Sequence, residues 1–155
     1  MLVRFERTAP RPDMQAIPRP VRGATGLVEV DTTWGTIQPM EVAHGVRTVG
    51  EVEVIEHLKR GLPVVDSRDR CSYDTSTIPG ATNLPFTEAA ARAGEMNRAH
   101  STIFFCNGPQ CGQSPRAIRG LLEVGYPSEV MQYYRGGLHD WITLGLPVVT
   151  GTRDP

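Results

Sequence analysis

The sequence predicts an α/β fold: a mostly parallel sheet with helices on both of its faces. Three observations carry that expectation. Two short apolar runs, residues 62–67 and 102–106, close in polar or loop-forming residues, as strands buried on both faces do. Between and beyond them lie stretches with apolar residues at helical spacing. Strands alternating with helices imply βαβ units, whose crossovers lay helices over a parallel sheet.

From the N-terminus, the first 22 residues include Pro10, Pro12, Pro18 and Pro20, which marks an extended or mobile segment. Leu27–Val30 and Thr36–Gln38 read as short β pieces around Gly35, able to add an edge strand or a hairpin. Thr48 with Glu51 three residues on has the pattern of a capping box. Val52, Ile55 and Leu58 follow at helical spacing, and Gly61 ends that helix. Leu62–Ser67 is the first buried strand, and Pro79-Gly80 marks a turn. Thr87–Ala93 reads as a short helix and Thr102–Cys106 as the second buried strand. Pro115 suits the first position of a helix whose apolar face is Ile118, Leu121 and Leu122 and whose end is Gly125. Val130–Tyr133 is a third strand, and Leu138–Leu144 a last short helix before Gly145 and Pro147. The expected organisation is an N-terminal extension over residues 1–35 and one α/β domain over residues 36–150.

A chain of 155 residues suits one domain and can bury a core without staples. The net charge is -1 with no basic run, so no nucleic-acid partner is expected. No apolar stretch approaches the roughly 20 residues that span a bilayer, so no membrane partner is expected. The start, Met1-Leu2-Val3-Arg4-Phe5-Glu6-Arg7, lacks the apolar centre of a secretory signal. Three cysteines are too few for a disulfide framework. Free thiols in a reducing, cytoplasmic setting follow as the expectation. His44, His57, His100 and His139 are scattered without metal-ligand spacing, so neither a metal nor another cofactor is expected. Tyr133 and Trp141 read as core aromatics.

Chemistry concentrates in one stretch: Cys106, then Asn107, Gly108, Pro109, Gln110, Cys111, Gly112, Gln113 and Ser114, then Pro115. A cysteine closes a strand, a glycine-containing loop follows, and a helix begins. Amides at a helix start and in a curled loop form an anion cradle. The same positive end favours a thiolate. Gly108 and Gly112 let the loop curl. A second strand end, Asp66-Ser67-Arg68, should open on the same edge, because ligand sites in such sheets lie beyond the carboxyl ends of the strands. Against this stands the ordinary reading of a cysteine after an apolar strand as a small buried hydrophobe.

Four segments resemble the rhodanese-like (sulfurtransferase) superfamily. Val64-Val65-Asp66-Ser67-Arg68, with Tyr73 five residues on, is similar to its strand ending in Asp-x-Arg. Ile78-Pro79-Gly80-Ala81-Thr82-Asn83-Leu84-Pro85 is similar to its Ile-Pro-Gly-Ala-x-Asn-x-Pro segment. Thr102–Cys106 is similar to the strand that delivers the active cysteine. Gly136-Gly137 with Trp141, and Gly145-Leu146-Pro147, are similar to its closing motifs. The resemblance covers residues 48–148 and implies a five-stranded parallel sheet flanked by helices. It implies a persulfide at Cys106, loaded by a small sulfur donor and unloaded by a thiol or protein acceptor. It places Asp66 and Arg68 beside the active loop, with Arg68 in a structural role.

The departures are specific. The usual loop is Cys-x-x-Gly-x-Arg-Ser, but Ser114 stands eight residues after Cys106, so the loop is longer by two. No Arg or Lys lies within it, and the first cation is Arg116 in the helix. Thiosulfate should therefore be a weak donor. Phosphatase relatives need Cys-x5-Arg, and position 112 is Gly. Thr77 replaces the histidine expected before Ile78, which should lose a structural contact. Three functional readings remain: a persulfide-forming sulfurtransferase, a thiol redox protein pairing Cys106 with Cys111 or Cys71, and a non-enzymatic binding module. Cys111 and Cys71 are the candidate resolving thiols.

Overall fold

The computed structural model describes residue 9 and residues 13–151. Pro10 and Pro12 of the proline-marked segment lie outside the described residues. The elements are β1 (Arg19–Pro20), β2 (Val28–Glu29), β3 (Arg47–Val49), α1 (Glu51–Lys59), β4 (Val64–Asp66), α2 (Arg70–Thr75), β5 (Thr82–Asn83), β6 (Thr102–Phe105), α3 (Gln113–Glu123), β7 (Met131–Tyr134) and α4 (Gly137–Thr143). Strands β3, β7, β6, β4 and β5 lie in that order in one five-stranded sheet, and every neighbouring pair is parallel. The short pair β1 and β2 forms a separate antiparallel ladder, with Arg19 opposite Glu29.

Side-chain alternation along the strands builds two cores. Val65, Phe104, Met131 and Tyr133 face Ala117, Ile118 and Leu121 of α3. Val49, Val64, Ile103, Phe105 and Tyr134 face Val54 of α1 and Leu138 and Trp141 of α4. Helices therefore cover both faces. The central strands are continuous apolar runs because neither face meets water: all four residues of β6 are buried.

The topology also locates the crevice. After β4 the chain passes through α2 to β5 on one side of the sheet. After β6 it passes through α3 to β7 on the other side. Connections that diverge from neighbouring strands leave a gap beyond their carboxyl ends. Asp66 pairs with Phe105 across that junction, so the Asp66–Arg68 turn and Cys106 emerge side by side.

Four local expectations are corrected. Thr48 is not a helix cap: it sits in β3 opposite Tyr133, and the box forms two residues later, where the Gly50 N–H donates to Glu53 Oε2 at 3.0 Å. The buried stripe of α1 shifts accordingly to Val54 and His57, leaving Val52 71% exposed. Residues 87–92 form turns, with a 3₁₀ helix only at Ala93–Glu95, because one shared Arg92 N–H bond to Glu88 and Ala89 does not nucleate a longer helix. Residues 36–38 form no strand, and the pairing partner of β2 is β1. Pro115 is the third residue of α3 rather than the first. It is tolerated there because first-turn N–H groups have no intrahelical acceptor.

Candidate active site

Cys106 follows β6 directly, and the residue is 1% exposed. The loop from Asn107 to Gly112 leads into α3, capped by Gly112 at an ordinary φ of −88°. Because the second residue of the helix has no intrahelical acceptor for its amide, the Ser114 N–H is free to donate to Cys106 Sγ, at 3.4 Å. The Ser114 hydroxyl donates to Ser67 Oγ at 3.0 Å, closing the crevice between α3 and the β4 end. The start of α4 holds the other side. The amides of Leu138 and His139 donate to the carbonyls of Cys106 and Asn107 at 3.1 and 2.8 Å. That contact needs two glycines. Gly137 has φ +57° and lies so close that a Cβ would collide with the Cys106 carbonyl, while a Cβ on Gly108 would stand 2.7 Å from His139 Cβ.

The curled loop brings Cys111 beside Cys106. The Cys111 amide donates to Gly108 O at 3.0 Å, and Cys106 Sγ donates to Cys111 O at 3.5 Å. The Cys111 thiol itself donates to Gln113 Oε1 at 3.6 Å. The pair divides the electrostatics unequally. Burial pushes the Cys106 thiol well up, and the neighbouring thiol adds to this, against the Ser114 bonds. The bond from Cys106, the Gln113 and Asn107 amides and the charge of Arg68 bring Cys111 down to about 7, against its burial. The helix-start effect expected at Cys106 is thus outweighed by burial, and Cys111 is the more acidic thiol of the two. Cys71 lies exposed on α2.

At the β4 end, Asp66 and Arg68 are buried, at 0% and 2% exposure. Arg68 Nε and Nη2 donate to the Asp66 carboxylate at 3.0 and 2.7 Å, and the Arg68 amide adds a third bond at 3.0 Å. Nη2 also donates to Ser76 O, and Nη1 reaches Asn107 Oδ1 in the active loop at 3.4 Å. Thr77 loses no contact: its hydroxyl donates to Asp66 Oδ2 at 2.8 Å, in place of the expected histidine. Asn83 Nδ2 ties the carbonyls of Asp66 and Arg68 at 3.0 and 2.9 Å. Arg116 is exposed, with its guanidinium over the Phe86 ring, 4.9 Å from the centroid.

Two features had no signal in the motif reading. Tyr133 is fully buried with a hydroxyl that has no hydrogen-bond partner among the described residues, and its acidity is weakened by burial and further by both thiols. It shares the α3 face of the sheet with Phe104, its partner across the strands, and alternation puts residue 106 on that face too. The second feature is a strap, residues 31–38. Gln110 Oε1 accepts the amides of Trp34 and Gly35 at 2.8 and 3.2 Å, and its Nε2 donates to Thr32 O at 3.0 Å. The Gln38 amide donates to Pro109 O at 2.8 Å, and Arg135 Nη2 to Gln38 O at 2.8 Å. His139 Nε2 meets Asp31 O at 3.1 Å.

Among the described residues no cluster of three or more His, Cys, Asp or Glu could hold a metal, and no helix is long and apolar enough to cross a membrane. The chain is 29% identical over 104 residues to an HTH-type transcriptional regulator of Mycobacterium tuberculosis, covering 66% of this chain and 45% of that protein. The chain thus spans less than half the length of that relative. A rhodanese-like domain from Anabaena superposes with a TM-score of 0.56 at 19% identity, covering 70% of this chain and 88% of that one. The thiosulfate sulfurtransferase of Pseudomonas aeruginosa gives 0.57 at 23% identity, covering 69% of this chain and 21% of that one. A full-length protein from Lactobacillus plantarum gives 0.57 at 21%, covering 66% and 87%. The model of the rhodanese-like domain matches residues 51–144, from the first turn of α1 to the end of α4, and the chain belongs to that family.

Proposed function

We propose that this domain is a sulfurtransferase that takes sulfane sulfur onto Cys106 as a persulfide and passes it to a thiol acceptor, in a reducing cytoplasmic setting. One observation carries the reading: Cys106 Sγ sits at the strand end, receives the Ser114 amide, and lies against Cys111, whose thiol can take its proton. As a donor approaches, the Cys106 proton passes to Cys111, and the resulting thiolate attacks the donor's outer sulfur. The Ser114 amide and the start of α3 favour negative charge on that sulfur.

Thiosulfate is expected to be a slow donor. Arg68 reaches the loop through Asn107, but Asp66 occupies its charge, so little remains for a dianion. An attraction of about 1–4 kcal/mol is thereby forgone, roughly one to three decades in catalytic efficiency. Sulfite released from thiosulfate counts loading events directly. The wild-type chain should release sulfite, and Cys106→Ala should fall to background, a loss of more than about 100-fold. Undiminished sulfite release by Cys106→Ala overturns the assignment.

A further inference from the structure

We propose that the loop has a second activity: Cys111 attacks the Cys106 persulfide, so that the domain reduces sulfane sulfur to hydrosulfide and finishes as a Cys106–Cys111 disulfide. This rests on the reading of Cys106 as the sulfur acceptor. It goes further in assigning the acceptor's partner and a different product.

The loop brings a second thiol to the cysteine that follows β6: the Cys111 amide closes a turn on Gly108 O at 3.0 Å, and the Ser114 amide donates to Cys106 Sγ at 3.4 Å. Cys106 Sγ donates to the Cys111 carbonyl at 3.5 Å, which holds the two residues side by side, and a modest turn of the Cys111 side chain away from Gln113 Oε1 is all the bond between the sulfurs requires. Cys111 is the more acidic of the two, so it is available as an anion near neutral pH. Closing a ring over a five-residue separation costs little chain entropy.

The steps balance. In the reacting form the pair holds one proton and one negative charge, as Cys106–SH beside Cys111–S⁻. The proton passes to Cys111, the Cys106 thiolate takes the outer sulfur of thiosulfate as sulfite leaves, and the proton returns from Cys111 to that outer sulfur, giving Cys106–S–SH beside Cys111–S⁻. Cys111 Sγ then attacks Cys106 Sγ, the inner sulfur of the persulfide. The bond from Cys106 Sγ to the outer sulfur breaks, and HS⁻ departs with the electron pair and the proton. The sulfane sulfur is reduced by two electrons and the two cysteine sulfurs are oxidised by one each. An external dithiol reductant restores the pair for another cycle. The buried Tyr133 hydroxyl, which has no partner among the described residues and feels the charge of both thiols, is a donor on the same face of the sheet as the departing sulfide.

The test separates this step from the one beneath it. Reduced protein carrying Cys71→Ser is incubated with excess thiosulfate and no reductant. Sulfite, sulfide and intact mass are then measured. Sulfite reports loading and sulfide reports the second step. The expected result is one sulfite and one sulfide per chain, a mass lower by about 2 Da, and a Cys106–Cys111 linkage in the peptide map. With Cys111→Ser added, loading slows because the proton acceptor is lost, but the sulfide-to-sulfite ratio falls to zero and each sulfur that loads stays on the chain as about 32 Da. Should that variant fail to fold, the sulfide-to-sulfite ratio and the peptide map of the chain retaining Cys111 decide alone. Sulfite with retained sulfur and no sulfide in that chain overturns the reductive step and leaves the sulfurtransferase standing. No sulfite from either chain overturns both. A Cys71–Cys106 linkage in the wild-type chain removes Cys111 from the role.

Discussion

On its β4 side the Cys106 loop meets a buried ion pair; on its outer side it meets the strap of residues 31–38. The β4 side is Asp66, Arg68 and Thr77, with every carboxylate oxygen bonded and side-chain exposures of 3% and 0% for the ion pair. The strap uses neutral amides and carbonyls, through Gln110 and Pro109, and its residues are half-buried or exposed. A buried charge without its partner has no water to fall back on, whereas an exposed amide does. The same loop is therefore held rigidly from one side and releasably from the other. On the proposed function that asymmetry has a use, since a donor would reach Cys106, 1% exposed, only if one side yields.

The comparison breaks most severely at Arg68. Arg68→Ala leaves the Asp66 carboxylate buried without its cation, which costs about 3–5 kcal/mol. For a domain of this size each kcal/mol is about 2–4 °C, so the melting temperature should fall by about 6–20 °C. A variant that melts within about 2 °C of wild type would show that water reaches the β4 end and that the pair is not sealed.

How much of this was legible beforehand depends on where each residue's partners lie. Strands β4, β6 and β7 were readable because burial on both faces makes them continuous apolar runs. Strand β3 was not: it is three residues long at the sheet edge, and Thr48 is extended because Tyr133 pairs with it, 85 positions along the chain. The local pattern there favoured a cap, and the ladder prevailed. Cys106, the Asp66–Arg68 turn and the start of α3 were legible because strand ends and helix starts leave local marks. Cys111's place beside Cys106 left none. It depends on a turn closed by Gly108 and on Gln110, anchored to Thr32 across 78 positions. The strap carries no motif of its own, and it holds the loop mostly with backbone groups, which any sequence possesses.

A smaller change sharpens the β4 side. Thr77→Val keeps the volume but removes one hydroxyl bond to Asp66 Oδ2 while Arg68 remains. A bond to a charged acceptor contributes about 1.5–3 kcal/mol, so the melting temperature should fall by about 3–12 °C, less than for Arg68→Ala. Equal losses in the two variants would mean that the hydroxyl, and not the ion pair, holds this end together.

The smallest global effect belongs to the strap. Gln110→Ala removes its bonds to Trp34, Gly35 and Thr32, but solvent can replace much of what is lost at a half-exposed site. The expected stability loss is about 1 kcal/mol, a melting shift of about 2–4 °C. The local effect should exceed the global one. A strap loosened by about 1 kcal/mol opens roughly fivefold more often, so Cys106 and Cys111 should react with iodoacetamide about fivefold faster under native conditions. Hydrogen exchange at the Trp34 and Gly35 amides should rise by a similar factor, while amides in β6 keep their protection. Arg68→Ala should act differently, raising exchange throughout the sheet. If Gln110→Ala leaves thiol reactivity unchanged while the Trp34 and Gly35 amides exchange faster, the strap is a passive cover and donor access runs through the β4 side instead.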